Sequence, residues 1–218
     1  MGKIFRNNGL SIVFFIFFMI AITGQAYTGF IEHNKERTEE GMQELSLANY
    51  LRSGHFLQST FENWESEFLQ MGLFVLLTIS LYQRGSSESK KLDEEEEVDR
   101  EPSPTREGAP WPVRKGGFIL ALYKNSLSIA LFTLFVLSFL LHLKGSFEDE
   151  NELLLHKGLP PEGLGEFFTS SRFWFESFQN WQSEFLSVFT IVVLSIFLRQ
   201  KGSPQSKPVD AANSETGE

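Results

Sequence analysis

The sequence predicts an all-α integral membrane protein with four transmembrane helices, built from two tandem two-helix repeats. Three observations lead there. Apolar residues, 23 Phe among them, gather into long uncharged runs, and a constant offset of 117 residues relates one half of the 218-residue chain to the other. A mixed motif is also written twice, FENWESEFL over 61–69 and FQNWQSEFL over 178–186, each time ahead of an apolar run. Clustered apolar residues are a membrane signature. The mean hydropathy of -0.12 conceals it by averaging greasy segments with charged ones.

The offset keeps its register from residues 5–90 to 122–207 without a gap: Asn8 falls on Asn125, Asn34 on Asn151 and Ser53 on Ser170. Asn63, Trp64, Ser66, Glu67, Phe68 and Leu69 fall on Asn180, Trp181, Ser183, Glu184, Phe185 and Leu186. A register held that long implies a duplication. Between the repeats, residues 91–117 form an acidic flexible linker whose run LDEEEEVDREPSP has little apolar area to bury, and 208–218 read as a disordered tail.

The first span starts at Leu10 and runs uncharged to Phe30. About 20 residues at about 1.5 Å each suffice for a hydrocarbon layer of about 30 Å. A cleaved signal peptide is the alternative, with Lys3 and Arg6 as its basic start. The equivalent third segment, Phe118 to Leu143, lies mid-chain, which favours retention of the first. Arg6 also stands where a myristoylation motif needs Ser or Thr.

The second and fourth spans, Phe68 to Tyr82 and Phe185 to Leu198, have only about 15 residues, roughly 22 Å of helix. To cross, each helix must extend backwards through its motif. Before them, 50–60 and 167–177 mix aromatic and polar residues as interfacial helices do. Basic residues near the segment ends, Lys3, Arg6, Arg84, Lys90, Lys91, Arg114, Lys115, Lys124, Arg199 and Lys201, place both termini and the linker in the cytoplasm. Loops 31–62 and 144–179, acidic on balance, then face outward.

Asn63 and Glu67 are four residues apart and share a helix face with Gln70 and Thr78; Asn180, Glu184, Ser187 and Ser195 repeat the stripe. Polar groups in lipid usually turn toward protein. Counting residues from the cytoplasmic ends puts Gln25, Glu67, His142 and Glu184 at one depth. With Asn63 and Asn180 they form the candidate intramembrane polar cluster, near a pseudo-twofold axis along the membrane normal. The structural reading competes: Trp64 and Trp181 as interfacial anchors, Asn63 and Asn180 as helix caps, Glu67 and Glu184 in a first turn.

Other chemistry is excluded or unsupported. There is no cysteine, so disulfides, thiolate metal sites and cysteine nucleophiles drop out. A net charge of -9 without a basic stripe argues against nucleic acid. His33, His55, His142 and His156 show no metal-ligand spacing, so no metal site, cofactor or catalytic residue is expected.

GQAYTGF, YLRSGHFLQSTFENWESEFLQ and LYQRGSSESK, then RFWFESFQNWQSEFLSV and LRQKGSPQSK, resemble an uncharacterised bacterial multi-pass membrane family classed as a domain of unknown function. The resemblance implies a bacterial cytoplasmic membrane protein and supplies no activity. The expected function is a structural or interaction protein of that membrane, partnered by the lipid bilayer and a homo-oligomer. The alternative is a transporter or channel for protons or small cations that uses Glu67 and Glu184. An enzyme acting on envelope material has only carboxylates to offer.

Overall fold

The computed structural model describes residues 3–217. Among them every regular element is helical and no strand occurs. The long helices are α1 (Lys3–Glu39), α3 (Gly54–Leu77), α6 (Ser126–His156) and α8 (Ser171–Phe197). The short ones are α2 (Leu47–Tyr50), α4 (Trp111–Lys115), α5 (Gly117–Lys124) and α7 (Leu164–Phe168). None of the long helices contains proline, so nothing interrupts their backbone ladders on that account.

Local chemistry sets their limits, and it does so alike at positions 117 apart. At Asn8, inside α1, and at Asn125, between α5 and α6, the backbone leaves helical values (φ -132 and -111). Each side-chain Nδ2 donates to the carbonyl four residues back, on Ile4 at 3.2 Å and Ala121 at 2.9 Å. An amide that competes with the ladder in this way bends or breaks a helix. The third apolar segment is therefore split at Asn125 instead of running unbroken from Phe118.

Both α1 and α6 end on a left-handed glycine, Gly41 (φ 82) and Gly158 (φ 72). Met42 N–H donates to Arg37 O at 2.7 Å and Leu159 N–H to Leu154 O at 2.9 Å, the closure that satisfies otherwise unpaired last carbonyls. α3 and α8 start behind Ser53 and Ser170, whose Oγ atoms accept from Phe56 N–H at 3.2 Å and Phe173 N–H at 3.4 Å. The motifs thus lie well inside their helices, which extend backwards as the short apolar runs require. Capping belongs to the serines and not to Asn63 or Asn180. Glu67 and Glu184 stand far beyond the first turn.

The chain forms two compact units, 1–61 with 141–173, and 62–140 with 174–218. In the first, Asn34 donates to Leu45 O at 3.0 Å and accepts from Leu45 N–H at 2.8 Å. Asn151 does the same with Glu162 at 3.3 and 2.7 Å. Phe30, Tyr50 and Phe56 pack in sequence with inclined rings at 5.9 and 5.4 Å, and Phe147, Phe167 and Phe173 at 5.8 and 6.0 Å. Tyr50, Phe167 and Phe173 are the buried aromatics of this unit. Here α3 and α6 meet backbone to backbone. A Cβ on Gly54 would lie 2.6 Å from Gly145 O, and one on Gly145 would lie 2.4 Å from Gln58 N.

The second unit holds α4, α5 and parts of α3, α6 and α8. A Cβ on Gly72 would come within 3.1 Å of Phe132. The chain after α3 meets the end of α8 where Ser86 Oγ and Ser195 Oγ hydrogen-bond at 2.9 Å. The acidic segment carries turns, a 3-10 turn at Glu97–Asp99, and a Lys90–Asp99 ion pair of 2.7 Å.

Among the described residues three helices, not four, are long and apolar enough to cross a membrane: Ile4–Glu39, Ser126–His156 and Ser171–Phe197. α3, the expected second span, falls outside this set for two reasons. α3 stops at Leu77, five residues before Tyr82, with Thr78 Oγ1 turned back onto Phe74 O at 2.8 Å. It also holds Glu62, Glu65 and Glu67, where α8 holds Gln179, Gln182 and Glu184. Amides in place of two carboxylates keep α8 within reach of lipid.

No residue in the apolar window of Ile4–Glu39 is buried. Phe14, Phe15, Phe17 and Ile20 of that window are each at least 60 % exposed. Soluble monomers rarely show so continuous an apolar face, whereas lipid covers it at no cost.

Gly54→Ala and Gly145→Ala should each destabilise the protein by about 1–3 kcal/mol, the usual cost of overpacking. Gly24→Ala, where a Cβ meets nothing within 4 Å, should be close to neutral. SDS-titrated unfolding in micelles, followed by far-UV circular dichroism, reads all three. Equal midpoints for the three variants would contradict the close helix contact.

Candidate functional site

The two stretches 61–69 and 178–186 meet in the second unit. Glu65 on α3 is fully buried, and its Oε1 accepts from the indole Nε1–H of Trp181 on α8 at 2.8 Å. Trp181 stands edge-on to Trp174 at 6.4 Å and to Phe178 at 5.5 Å, and Trp174 packs on Phe178 at 5.6 Å. Phe139 of α6 lies 6.5 Å from Trp174. The buried carboxylate thus enters an aromatic wall through the one polar atom an indole offers. A charge-assisted bond in so dry a place counts for more than one in water.

The residues singled out by sequence are distributed otherwise. Asn63 and Glu67 are exposed, while Asn180, Glu184 and Trp181 are half-buried. Glu67 and Glu184 are near enough for their charges to interact. Trp64 is half-buried, and Ser66 and Ser183 turn their hydroxyls onto Asn63 O and Asn180 O, both at 2.8 Å. Gln25 and His142 belong to the first unit. There Gln25 donates to Thr60 Oγ1 at 3.3 Å and lies 3.5 Å from Ser59 Oγ. His142 is fully buried with its ring 5.0 Å from Phe173. The six do not form one site within either unit.

Glu65 escaped the sequence reading because it lies two residues from both Asn63 and Glu67, about 200° around the helix. The repeated motif points only to positions written alike in both copies, and Glu65 faces Gln182 in that alignment. A second missed group is in the first unit: ligand-capable atoms of His33, Glu36 and His55 lie within 4.8 Å of one another. Local spacing gave no sign of it, because His55 comes from α3 and the other two from α1.

The profile of a family described as "Domain of unknown function (DUF6766)" matches residues 1–218. The chain belongs to the DUF6766 family. No curated protein and no solved structure matches it. The DUF6766 description assigns no reaction, so the chemistry of this member rests on its side chains.

Trp181→Phe keeps the ring and removes the donor to Glu65. A hydrogen bond to a charged group is worth about 1.5–3 kcal/mol, and a loss of that order is expected in the same unfolding assay. Glu65→Gln keeps an acceptor oxygen and should cost less. Combined, the two changes should show a coupling above about 0.5 kcal/mol. Strict additivity would mean that the bond contributes nothing.

Proposed function

We propose that this is a structural or interaction protein of the bacterial cytoplasmic membrane, without a catalytic role, whose repeated motif fastens helices together. The observation that carries this reading is the Glu65 to Trp181 bond, which uses one motif copy to hold the other. A motif built for transport would keep its carboxylates toward a watery path. Here the buried carboxylate is engaged by an indole.

Three further features support a tandem duplication as the source of the architecture. The glycine closures after α1 and α6 match, and so do the Asn34 and Asn151 clips. A serine clip also recurs after α3 and α8, Ser89 Oγ accepting from Gln83 N–H at 2.9 Å and Ser206 Oγ from Gln200 N–H at 2.8 Å. All fall at the 117-residue offset.

The Ser86 to Ser195 bond brings the chain after α3 to the end of α8, which supports one common face for the linker and the tail. The basic residues at those ends make that face the cytoplasmic one. α3, too polar to cross on its own, reaches that face under cover of α6 and α8. The lipid bilayer is the principal partner, and a second copy is the natural companion for a protein of this size.

Glu67→Gln combined with Glu184→Gln should leave folded yield and unfolding midpoint unchanged. Loss of the folded protein in that pair would overturn the assignment of the clasp to Glu65 and Trp181. The absence of native cysteine makes orientation directly readable. Glu40→Cys and Leu155→Cys should react with a membrane-impermeant thiol reagent on intact cells, and Glu95→Cys only after lysis. Labelling of position 95 from outside would refute the orientation.

A further inference from the structure

In the first unit, beyond the apolar part of α1, a cavity of about 340 Å³ opens between the ends of α1, α3 and α6. His33 and His55 line it with rings stacked at 4.3 Å and inclined by 23°. His33 is only 8 % exposed. Its Nε2 and the Nδ1 of His55 are both shut off from solvent and have no hydrogen-bond partner. Each orphaned buried polar atom costs about 1–3 kcal/mol, so two of them side by side need a reason. Glu36 supplies a carboxylate 4.0 Å from His33 Nδ1, on a side chain 57 % exposed and free to swing.

The second half of the chain shows what these positions hold when they are satisfied. At the 117-residue offset, His33 corresponds to Glu150 and His55 to Arg172. Those two form a direct ion pair, and Arg172 also binds Asp149 at 2.7 Å. A guanidinium is the cation there. The first half has two imidazoles and a carboxylate at the corresponding place and no cation of its own among them. Arg37, the nearby positive charge, is already taken up by Glu152 and by Gln43 O at 2.8 Å. Tyr50 packs its ring 5.7 Å from His33.

We propose that His33, His55 and Glu36 bind a divalent transition-metal ion of the zinc class. The donors are those that borderline ions prefer, two neutral imidazole nitrogens and one carboxylate oxygen, with water completing the shell. Tetrahedral zinc holds nitrogen at about 2.0–2.1 Å, which sets its donors roughly 3.4 Å apart. Rotation of the Glu36 and His55 side chains closes the present spread of up to 4.8 Å. The ion would take one nitrogen from each ring and join α1 to α3, as Arg172 joins α8 to α6.

The test uses the full chain, purified in detergent through a tag without histidine, stripped with EDTA and dialysed against micromolar ZnCl2. Elemental analysis should find about one zinc per chain, as a single three-ligand site requires. Loss of outer-shell partners typically weakens metal affinity by about 10–100-fold, so removing ligands in His33→Asn with His55→Asn should exceed that. Glu36→Gln, on an exposed side chain, guards against misfolding of the histidine variant and should weaken binding at least about tenfold. Cobalt(II) should show visible ligand-field bands in the wild type that both variants lose. A wild-type chain that holds no zinc, or variants that bind zinc as tightly as wild type, would overturn the site.

Discussion

Apolar side chains that no protein covers govern everything else in this molecule. Phe14, Phe15, Phe17 and Ile20 on α1, Leu137 on α6 and Phe189 on α8 stand exposed along helices long enough to span a hydrocarbon layer. In lipid such a surface is at rest, and each backbone amide must then be satisfied within its own helix. That requirement explains why the long elements are uninterrupted by proline, and why their ends are closed by left-handed glycines and serine caps. It also explains why polar side chains must find partners on neighbouring helices.

Within these limits several positions 117 residues apart carry matching backbone fittings and others carry different polar ones. Asn34 and Asn151 pin equivalent turns, and Tyr50 and Phe167 occupy equivalent buried seats. Yet Gln25 stands opposite His142 in the alignment, the carboxylates of Glu62 and Glu65 opposite the amides of Gln179 and Gln182, and the histidine stack opposite an ion pair. Within the motif α3 carries three carboxylates, Glu62, Glu65 and Glu67, and α8 carries one, Glu184. This explains why α8 has the composition of a membrane span while α3 depends on its neighbours.

The helical class and three membrane-length helices were legible because hydropathy and length need no knowledge of partners. The backward extension of α3 and α8 was legible from the shortness of their apolar runs. The second span was misjudged because Glu62, Glu65 and Glu67 were weighed as an extension of α3 and not as a burden on it. The split at Asn125 depends on one side chain choosing a backbone carbonyl, which periodicity does not reveal. The face that α3 turns toward protein is decided by Trp181, more than a hundred residues away in sequence, so Glu65 could not be preferred to Glu67 from local pattern alone. His33 and His55 likewise meet only through tertiary packing.

Lipid contact along α1, α6 and α8 is the claim on which the rest stands, and accessibility of single spin labels tests it most directly. Labels at Ile20, Leu137 and Phe189 in reconstituted bilayers should collide readily with oxygen, which concentrates in hydrocarbon, and hardly at all with a water-soluble nickel chelate. The reverse pattern, with nickel accessible and oxygen excluded at these positions, would mean that water and not lipid bathes the apolar faces.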